Sequence, residues 1–283
     1  MRSLWAYQIM STSEILHIPL KGGIDLDKTE ESGQCFRWRR IEQGVYDIPA
    51  FGQLIRVREN WVGINVEMLS DADSIDADLW NSYFDSKLNY EKIRKMPDKK
   101  DEFLCECAKY GKGIRIIKQD PFETLITFII SQRKSIPAIK TSVEKICEAV
   151  GRKIPGTDVY DFPTAEELYA LDEKTLADCG LGYRAPYIHA TAEAFAHGDM
   201  NVAALSEMND EELLNSLMTL KGVGIKIANC TALFAFHRLD LFPIDVWIQR
   251  ALDTYYDGTF PLEKYHPYNG IMQQYMFAER HEL

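Results

Sequence analysis

A primary amine and a carboxylate, Lys226 and Asp245, stand nineteen residues apart in two of the most sharply punctuated stretches of the chain. Lys226 follows two glycines in Leu220-Lys221-Gly222-Val223-Gly224-Ile225-Lys226-Ile227-Ala228. Apolar-Gly-apolar-Gly ahead of a helical pattern makes a tight hairpin between helices and leaves the first N–H groups of the second helix free for a phosphate. That arrangement is a helix-hairpin-helix, with Gly222 and Gly224 as its DNA-backbone contacts; a purely structural αα-turn is the alternative. At its position Lys226 either attacks an electrophile or simply meets a phosphate, and the hairpin alone leaves both open. Asp245, in Phe242-Pro243-Ile244-Asp245-Val246-Trp247, follows a proline that ends an extended turn, so it can cap the next helix. A helix of about ten residues and a turn can carry its carboxylate back beside the lysine, in which case one residue does both tasks.

The elements around this pair follow from periodicity. A helix over about Asp210 to Thr219 leads into the hairpin. From Ile15 to Val66 short runs alternate apolar and polar residues, as in Cys35-Phe36-Arg37-Trp38, Val45 to Ile48, Leu54 to Val57 and Trp61 to Ile64, with Gly22-Gly23, Gly44, Gly52 and Asn60 between them. This predicts an antiparallel sheet of five or more strands. From about Ser74 the period is helical to the end, with stops at Pro97, Gly111 to Gly113, Pro155-Gly156, Gly180 to Gly182 and Pro261. Asp120-Pro121 reads as cap and first residue of a helix whose run Leu125 to Ile130 is buried. A last helix, Asn269 to Arg280, packs through Met272, Tyr275 and Met276. The fold class is therefore α+β: an N-terminal antiparallel β-sheet domain followed by an all-helical body containing the helix-hairpin-helix.

Composition narrows the class of function. The chain has 283 residues, 46% hydrophobic and 27% charged, which is the balance of a globular enzyme. Its net charge of −11 argues against loose coating of DNA, since phosphate neutralisation dominates such binding, but it leaves room for a local basic site. The six cysteines are scattered and fit no common zinc spacing, so they read as free thiols in a reducing compartment. With neither a membrane-spanning run nor a secretory leader, a soluble, intracellular protein is expected. Met1 to Ser13 shows no pattern, and Met10 is an alternative start.

The Gly-Val-Gly hairpin with Lys226, followed by Pro243 and Asp245, resembles the helix-hairpin-helix, glycine/proline-rich loop and aspartate of base-excision DNA glycosylases. Within them the chain is most similar to the 8-oxoguanine DNA glycosylases. Ser32-Gly33-Gln34-Cys35-Phe36-Arg37-Trp38 resembles their N-terminal glycine motif, Gln119-Asp120-Pro121-Phe122-Glu123 their helix start, and Gly180-Leu181-Gly182-Tyr183-Arg184-Ala185 their intercalating loop. The resemblance spans roughly residues 15–280 and implies a bifunctional glycosylase and lyase. Lys226 would attack C1′ of the damaged nucleotide and Asp245 would steady the cationic sugar. An amine attacks only when unprotonated, so a desolvated site with positive surroundings is implied. Base recognition falls to the Gly33 carbonyl, which would accept the N7 hydrogen that distinguishes oxidised guanine, by ~1–3 kcal/mol if left unsatisfied. Gln273 would read the pairing edge, Phe277 would stack on the base and Cys230 would pack on its other face. Tyr183 matches the wedge at the extrusion point and Arg184 a reader of the orphaned cytosine.

Departures accompany these matches. An asparagine-rich turn of the family is replaced by Ser131-Gln132-Arg133-Lys134-Ser135, and a second cytosine-reading arginine falls at Ala138. Opposite-base selectivity is therefore expected to be relaxed, while Arg133 and Lys134 add positive charge near the groove. A phosphate-binding histidine is replaced by Trp247, with Gln249 and the hairpin amides as substitutes. The resemblance implies no required cofactor or metal, though a structural monovalent cation at the hairpin is compatible with it. The implied partner is double-stranded DNA containing oxidised guanine, met by a monomer in the cytoplasm, nucleoid-associated, of a prokaryote. The expected layout is a β domain over 14–97, a helical segment over 98–118 packing with the C-terminal helices, the glycosylase domain over 119–250 and pocket-completing helices over 251–283. Two rivals are a glycosylase for another damaged base and a non-catalytic helix-hairpin-helix DNA-binding protein. The presence of Lys226 and the absence of any cysteine after Cys230 count against glycosylases that lack the lysine or carry an iron–sulfur cluster, and the net charge counts against a binding-only role.

Overall fold

The computed structural model describes residues 15–279 apart from Asp73, so Met1 to Ser13 and the Arg280 end of the last helix lie outside the described residues. Five strands, β1 (Ile15–Pro19), β2 (Arg39–Glu42), β3 (Val45–Ala50), β4 (Gln53–Asn60) and β5 (Gly63–Met68), form one antiparallel sheet in the order β1-β5-β4-β3-β2. Of the two-residue turns in the sheet, Phe51-Gly52 has both residues at positive φ, the backbone of a turn that matches strand twist. Alternation then works as expected on one face: Tyr46, Ile48, Ile55, Val57, Ile64 and Val66 are buried against Trp80, Tyr83 and Phe84 of the Ala77–Tyr83 helix and its end.

The segment before β2 departs from the expected pattern. Cys35 to Trp38 is not a strand, and Leu26–Thr29 with Glu30–Gln34 forms a short helix and a wide helical turn. Asp25 starts that helix by accepting the Lys28 N–H at 2.9 Å, and Gly33 ends it at φ 76. Cys35, Phe36, Arg37 and Trp38 are all buried because the segment runs between two cores. Cys35 and Trp38 face the sheet, whereas Phe36 enters the helical body against Phe128. Burial on both sides removes the meaning that alternation has on a one-sided sheet.

Two buried polar side chains fasten the sheet to the chain that follows it, at residues 115–119. The Gln34 amide donates to the Arg115 carbonyl at 2.9 Å and accepts the Ile117 N–H at 2.8 Å, while Gln119 Nε2 donates to the Gln34 carbonyl at 2.9 Å. Arg115, fully buried, donates to five carbonyls: Phe84 at 3.0 Å, Lys21 and Gly23 at 3.2 Å each, Asp85 at 2.6 Å and Leu88 at 3.3 Å. Its guanidinium also lies 4.1 Å from the centre of the Tyr90 ring. On the other side, Arg37 donates to Glu144 Oε1 at 3.2 Å and to the Tyr160 carbonyl, tying the turn to the Ile136–Val150 helix.

In the helical body the Pro121–Ser131 helix is the central element, buried from Phe122 to Ile130 except Glu123, and started as expected by Asp120, which accepts the Glu123 N–H at 2.9 Å. The C-terminal helix, Asn269–Glu279, packs on the Glu102–Tyr110 helix and is buried almost all round, beyond the stripe of Met272, Tyr275 and Met276. All six cysteines are unpaired thiols.

Removing the Arg115 guanidinium leaves its carbonyl partners in the interior without donors, at about 1–3 kcal/mol for each one left unsatisfied. Arg115→Leu is therefore expected to lower the unfolding free energy by about 3 kcal/mol or more, read from the urea midpoint. A midpoint equal to the wild type would show that this guanidinium is not what ties the domains.

Candidate active site

The hairpin is built by two glycines with different tasks. The Asp210–Met218 helix, opened by a reciprocal Asn209/Glu212 capping box, ends at Thr219, and just beyond it the Leu220 carbonyl accepts the Val223 N–H at 3.1 Å. Gly222 turns the chain at φ 81 and lies so close to Tyr187 that a Cβ would sit 2.3 Å from the ring. Gly224 has nothing within 4 Å of where a Cβ would stand and caps the Ile225–Phe234 helix without any side-chain bond. The first N–H groups of that helix therefore remain available on an open surface, as an anion site requires.

The same helix carries Lys226. Its side chain is half-buried, with Nζ 5.6 Å from the centre of the Phe128 ring. Asp245 caps the Val246–Tyr255 helix, its Oδ1 accepting the Trp247 N–H at 3.0 Å and the Ile248 N–H at 2.8 Å. Lys226 and Asp245 both line an open groove of about 670 Å³, together with Arg133, Tyr183 and Gln249. They also both line a small inner cavity of about 40 Å³, whose other walls include Gly33, Cys230, Gln273 and Phe277. The amine and the carboxylate thus stand in the wall that the groove and the cavity share.

The inner cavity gathers residues from across the whole chain. In its present state it holds no more than about one water, and the Phe277 ring closes it, 3.0 Å from where a Cβ on Gly33 would lie. A planar base could enter only with Phe277 moved off Gly33. Gln273 is buried and its Oε1 accepts Gln274 Nε2 at 2.9 Å. Burial pushes the Cys230 thiol up, against the downward pull of Lys226, so Cys230 is a neutral, polarisable wall.

Along the groove the predicted residues divide. Tyr183 is 52% exposed, edge-on to Tyr187 at 6.2 Å, and free to meet a duplex. Arg133 is exposed and held at φ 51, a left-handed backbone that is rare outside glycine. Lys134 instead ties the turn to the wedge loop, donating to the Gly180 carbonyl at 2.8 Å. Arg184 differs from the expectation of a free reader. It is buried, donates to the Leu181 carbonyl at 3.2 Å and to the Gln132 carbonyl, and stacks 4.4 Å from the Tyr183 ring centre, so reaching a cytosine requires those bonds to break. Gln249 lines the groove but donates to Asp253 at 2.8 Å. Trp247 is exposed beside it, 5.2 Å from the Arg250 guanidinium, and does not line the groove.

Several lining residues escaped the sequence reading. Val246 and Arg250 could have been found, since they share a helical face with Gln249. Phe128 and Gln274 carry no local signal, because one lies in a uniformly apolar run and the other on a helix read for its packing stripe and for Gln273 and Phe277 alone. No helix among the described residues is long and apolar enough to cross a membrane.

Comparison with known proteins extends this geometry. Residues 17–125 match the N-terminal domain of 8-oxoguanine DNA glycosylase, and residues 126–259 match the HhH-GPD superfamily of base excision DNA repair proteins. A probable N-glycosylase/DNA lyase of Methanothermobacter thermautotrophicus is 29% identical over 86% of both chains. A solved structure of MBOgg1 with a low-affinity DNA ligand superposes with TM-score 0.86 at 33% identity, covering 95% of this chain and 98% of that one. The Clostridium acetobutylicum 8-oxoguanine glycosylase/lyase, solved with double-stranded DNA containing cytosine opposite 8-oxoG, superposes with TM-score 0.84 at 31% identity over 95% and 97% of the two chains.

Two glycine substitutions separate the hairpin from the cavity. Gly222→Ala places a methyl into Tyr187 at a left-handed φ, and is expected to weaken duplex binding at least about tenfold, in a titration read by fluorescence anisotropy. Gly33→Ala meets Phe277 and a left-handed backbone, so it is expected to spare binding to undamaged duplex while lowering base release about tenfold or more. Equal effects of both variants on both measurements would show that the two regions do not act separately.

Proposed function

The chain belongs to the 8-oxoguanine DNA glycosylase family of helix-hairpin-helix base excision repair proteins, and from that premise we propose that it flips 8-oxoguanine out of duplex DNA, excises it through a lysine Schiff base and then cuts the strand. The observation that carries this reading is that Lys226 and Asp245 line both the open groove and the inner cavity. A nucleophile at that junction meets the sugar of a nucleotide whose backbone stays in the groove and whose base has left the stack.

In this mechanism Lys226 Nζ, having lost a proton, attacks C1′ while the bond from C1′ to N9 breaks and the base leaves with the electron pair, taking up a proton. The Asp245 carboxylate, fixed by two main-chain N–H groups, opposes the positive charge that develops on the sugar. Opening of the sugar ring gives the protonated Schiff base, loss of a C2′ proton expels the 3′ phosphate, and water then releases the enzyme. The Gly33 carbonyl, Gln273, Phe277 and Cys230 receive the base. Tyr183 fills the duplex where the base was, and Arg133 with the hairpin N–H groups of Gly222 and Gly224 holds phosphates. Trp247 and Gln249 flank that contact, and Arg184 supports Tyr183 from behind.

A monovalent cation fits the hairpin chemically. The Leu220 and Gly222 carbonyls each accept one hydrogen bond, the latter from Gln132 Nε2 at 3.3 Å, and each keeps a second lone pair. A cation held there adds positive charge beside a phosphate, and no step of the base release passes through it.

Borohydride reduction tests the covalent step. The wild type is expected to be trapped on duplex carrying 8-oxoguanine, whereas Lys226→Gln gives no adduct and no strand cleavage but keeps duplex affinity within about threefold. Asp245→Asn is expected to slow base release by at least about a hundredfold. An adduct with Lys226→Gln would assign the nucleophile elsewhere.

A further inference from the structure

The C-terminal helix contains two adjacent glutamines, Gln273 and Gln274, each only 3% exposed. Consecutive helical residues point about 100° apart, so neighbours do not ordinarily share a wall. Here both line the inner cavity, because the Gln274 side chain bends to donate Nε2 to Gln273 Oε1 at 2.9 Å. That bond has two consequences. It sets the two amides in complementary orientation, the oxygen of one facing the nitrogen of the other. It also leaves Gln274 Oε1 buried without any hydrogen-bond partner. A buried acceptor with no donor is costly, and in a cavity wall it marks a place where a ligand brings the missing hydrogen.

We propose that Gln274 is a second reader of the extruded base, holding Gln273 in register through Nε2 and accepting one hydrogen of the guanine pairing edge at Oε1. The inference rests on the reading of the inner cavity as the base pocket. The pairing edge of 8-oxoguanine carries two neighbouring donors, N1–H and the 2-amino group. A single glutamine carbonyl would have to serve both of them while also accepting from Gln274. Two carbonyl oxygens, Gln273 Oε1 with its remaining lone pair and Gln274 Oε1, serve one donor each. Gln274 is thus a specificity residue toward the 2-amino group and a positioning residue for Gln273.

The test compares 8-oxoguanine with 8-oxohypoxanthine, which lacks only the 2-amino group, opposite cytosine in the same duplex. Single-turnover release by the wild type is expected to be about 10- to 100-fold slower for 8-oxohypoxanthine, because Gln274 Oε1 stays unpaired. Gln274→Met is expected to slow 8-oxoguanine release by a similar factor and to bring the two substrates within about threefold of each other. Strand cleavage at a preformed abasic site, where no base occupies the cavity, is expected to be unchanged in that variant. Equal wild-type rates on the two bases would overturn the proposal without any variant, and so would a gap that persists in Gln274→Met. Loss of abasic-site cleavage in Gln274→Met would show a structural role instead. Failure of the wild type to release 8-oxoguanine, or to be trapped on abasic DNA, would instead remove the base-pocket reading itself.

Discussion

The constraint that governs this molecule is that one small cavity has to be closed by pieces of chain lying far apart in sequence, and the Gln34 amide is what brings the first of them into place. Gln34 binds the main chain at Arg115 and Ile117 and is itself held by Gln119. The turn before it therefore presents Gly33 to the C-terminal helix so closely that a Cβ there would lie 3.0 Å from the Phe277 ring. Such bonds are worth little individually against water, yet leaving their partners unsatisfied in the interior is costly. That asymmetry makes the junction specific: the sheet domain has one register against the helical body in which every one of these groups is paired. Arg115, with its carbonyl partners on two loops, acts in the same way.

The second economy is that the residues assigned to chemistry also hold the elements that carry them. Asp245 is a helix cap and a carboxylate facing the groove, and the cap fixes its position without a dedicated support. Lys226 lies on a helix whose start is made by the hairpin, so the turn at Gly224 also sets where the amine stands. Arg184 extends the pattern at the wedge. Its guanidinium is buried on carbonyls of the two loops that flank Tyr183, which makes the wedge a braced ring rather than a free side chain.

A net charge of −11 suits such a design. Arg133 and Arg250 line the groove beside helix N–H groups, while the bulk of the surface remains acidic. Under the proposed function, grip is then local and short-ranged, and the cavity rather than the long-range field does the selecting. The cavity is closed by Phe277 in this state, so the proposed entry of a base requires that ring to move.

How much of this was legible in the sequence depends on whether the signal was local. The hairpin could be read because tight turns demand glycine at fixed offsets, and Asp120 and Asp245 could be read as caps because free N–H groups demand acceptors. Alternation and helical period likewise give the sheet and the helical body. The same rules failed at Cys35 to Trp38, where a segment buried in two cores has no polar side to alternate with, and at Gln274, where an amide on a packed helix carries no local mark of its use. Arg184 was read as facing an orphaned cytosine, and its burial on the Leu181 and Gln132 carbonyls shows only once the loops on either side are folded around it. Sequence by itself determined which turns and caps exist, since those are settled between neighbours along the chain. Only the tertiary structure decided which walls meet, because contacts between Gly33, Lys226 and the C-terminal helix depend on long-range packing that no short stretch of residues encodes.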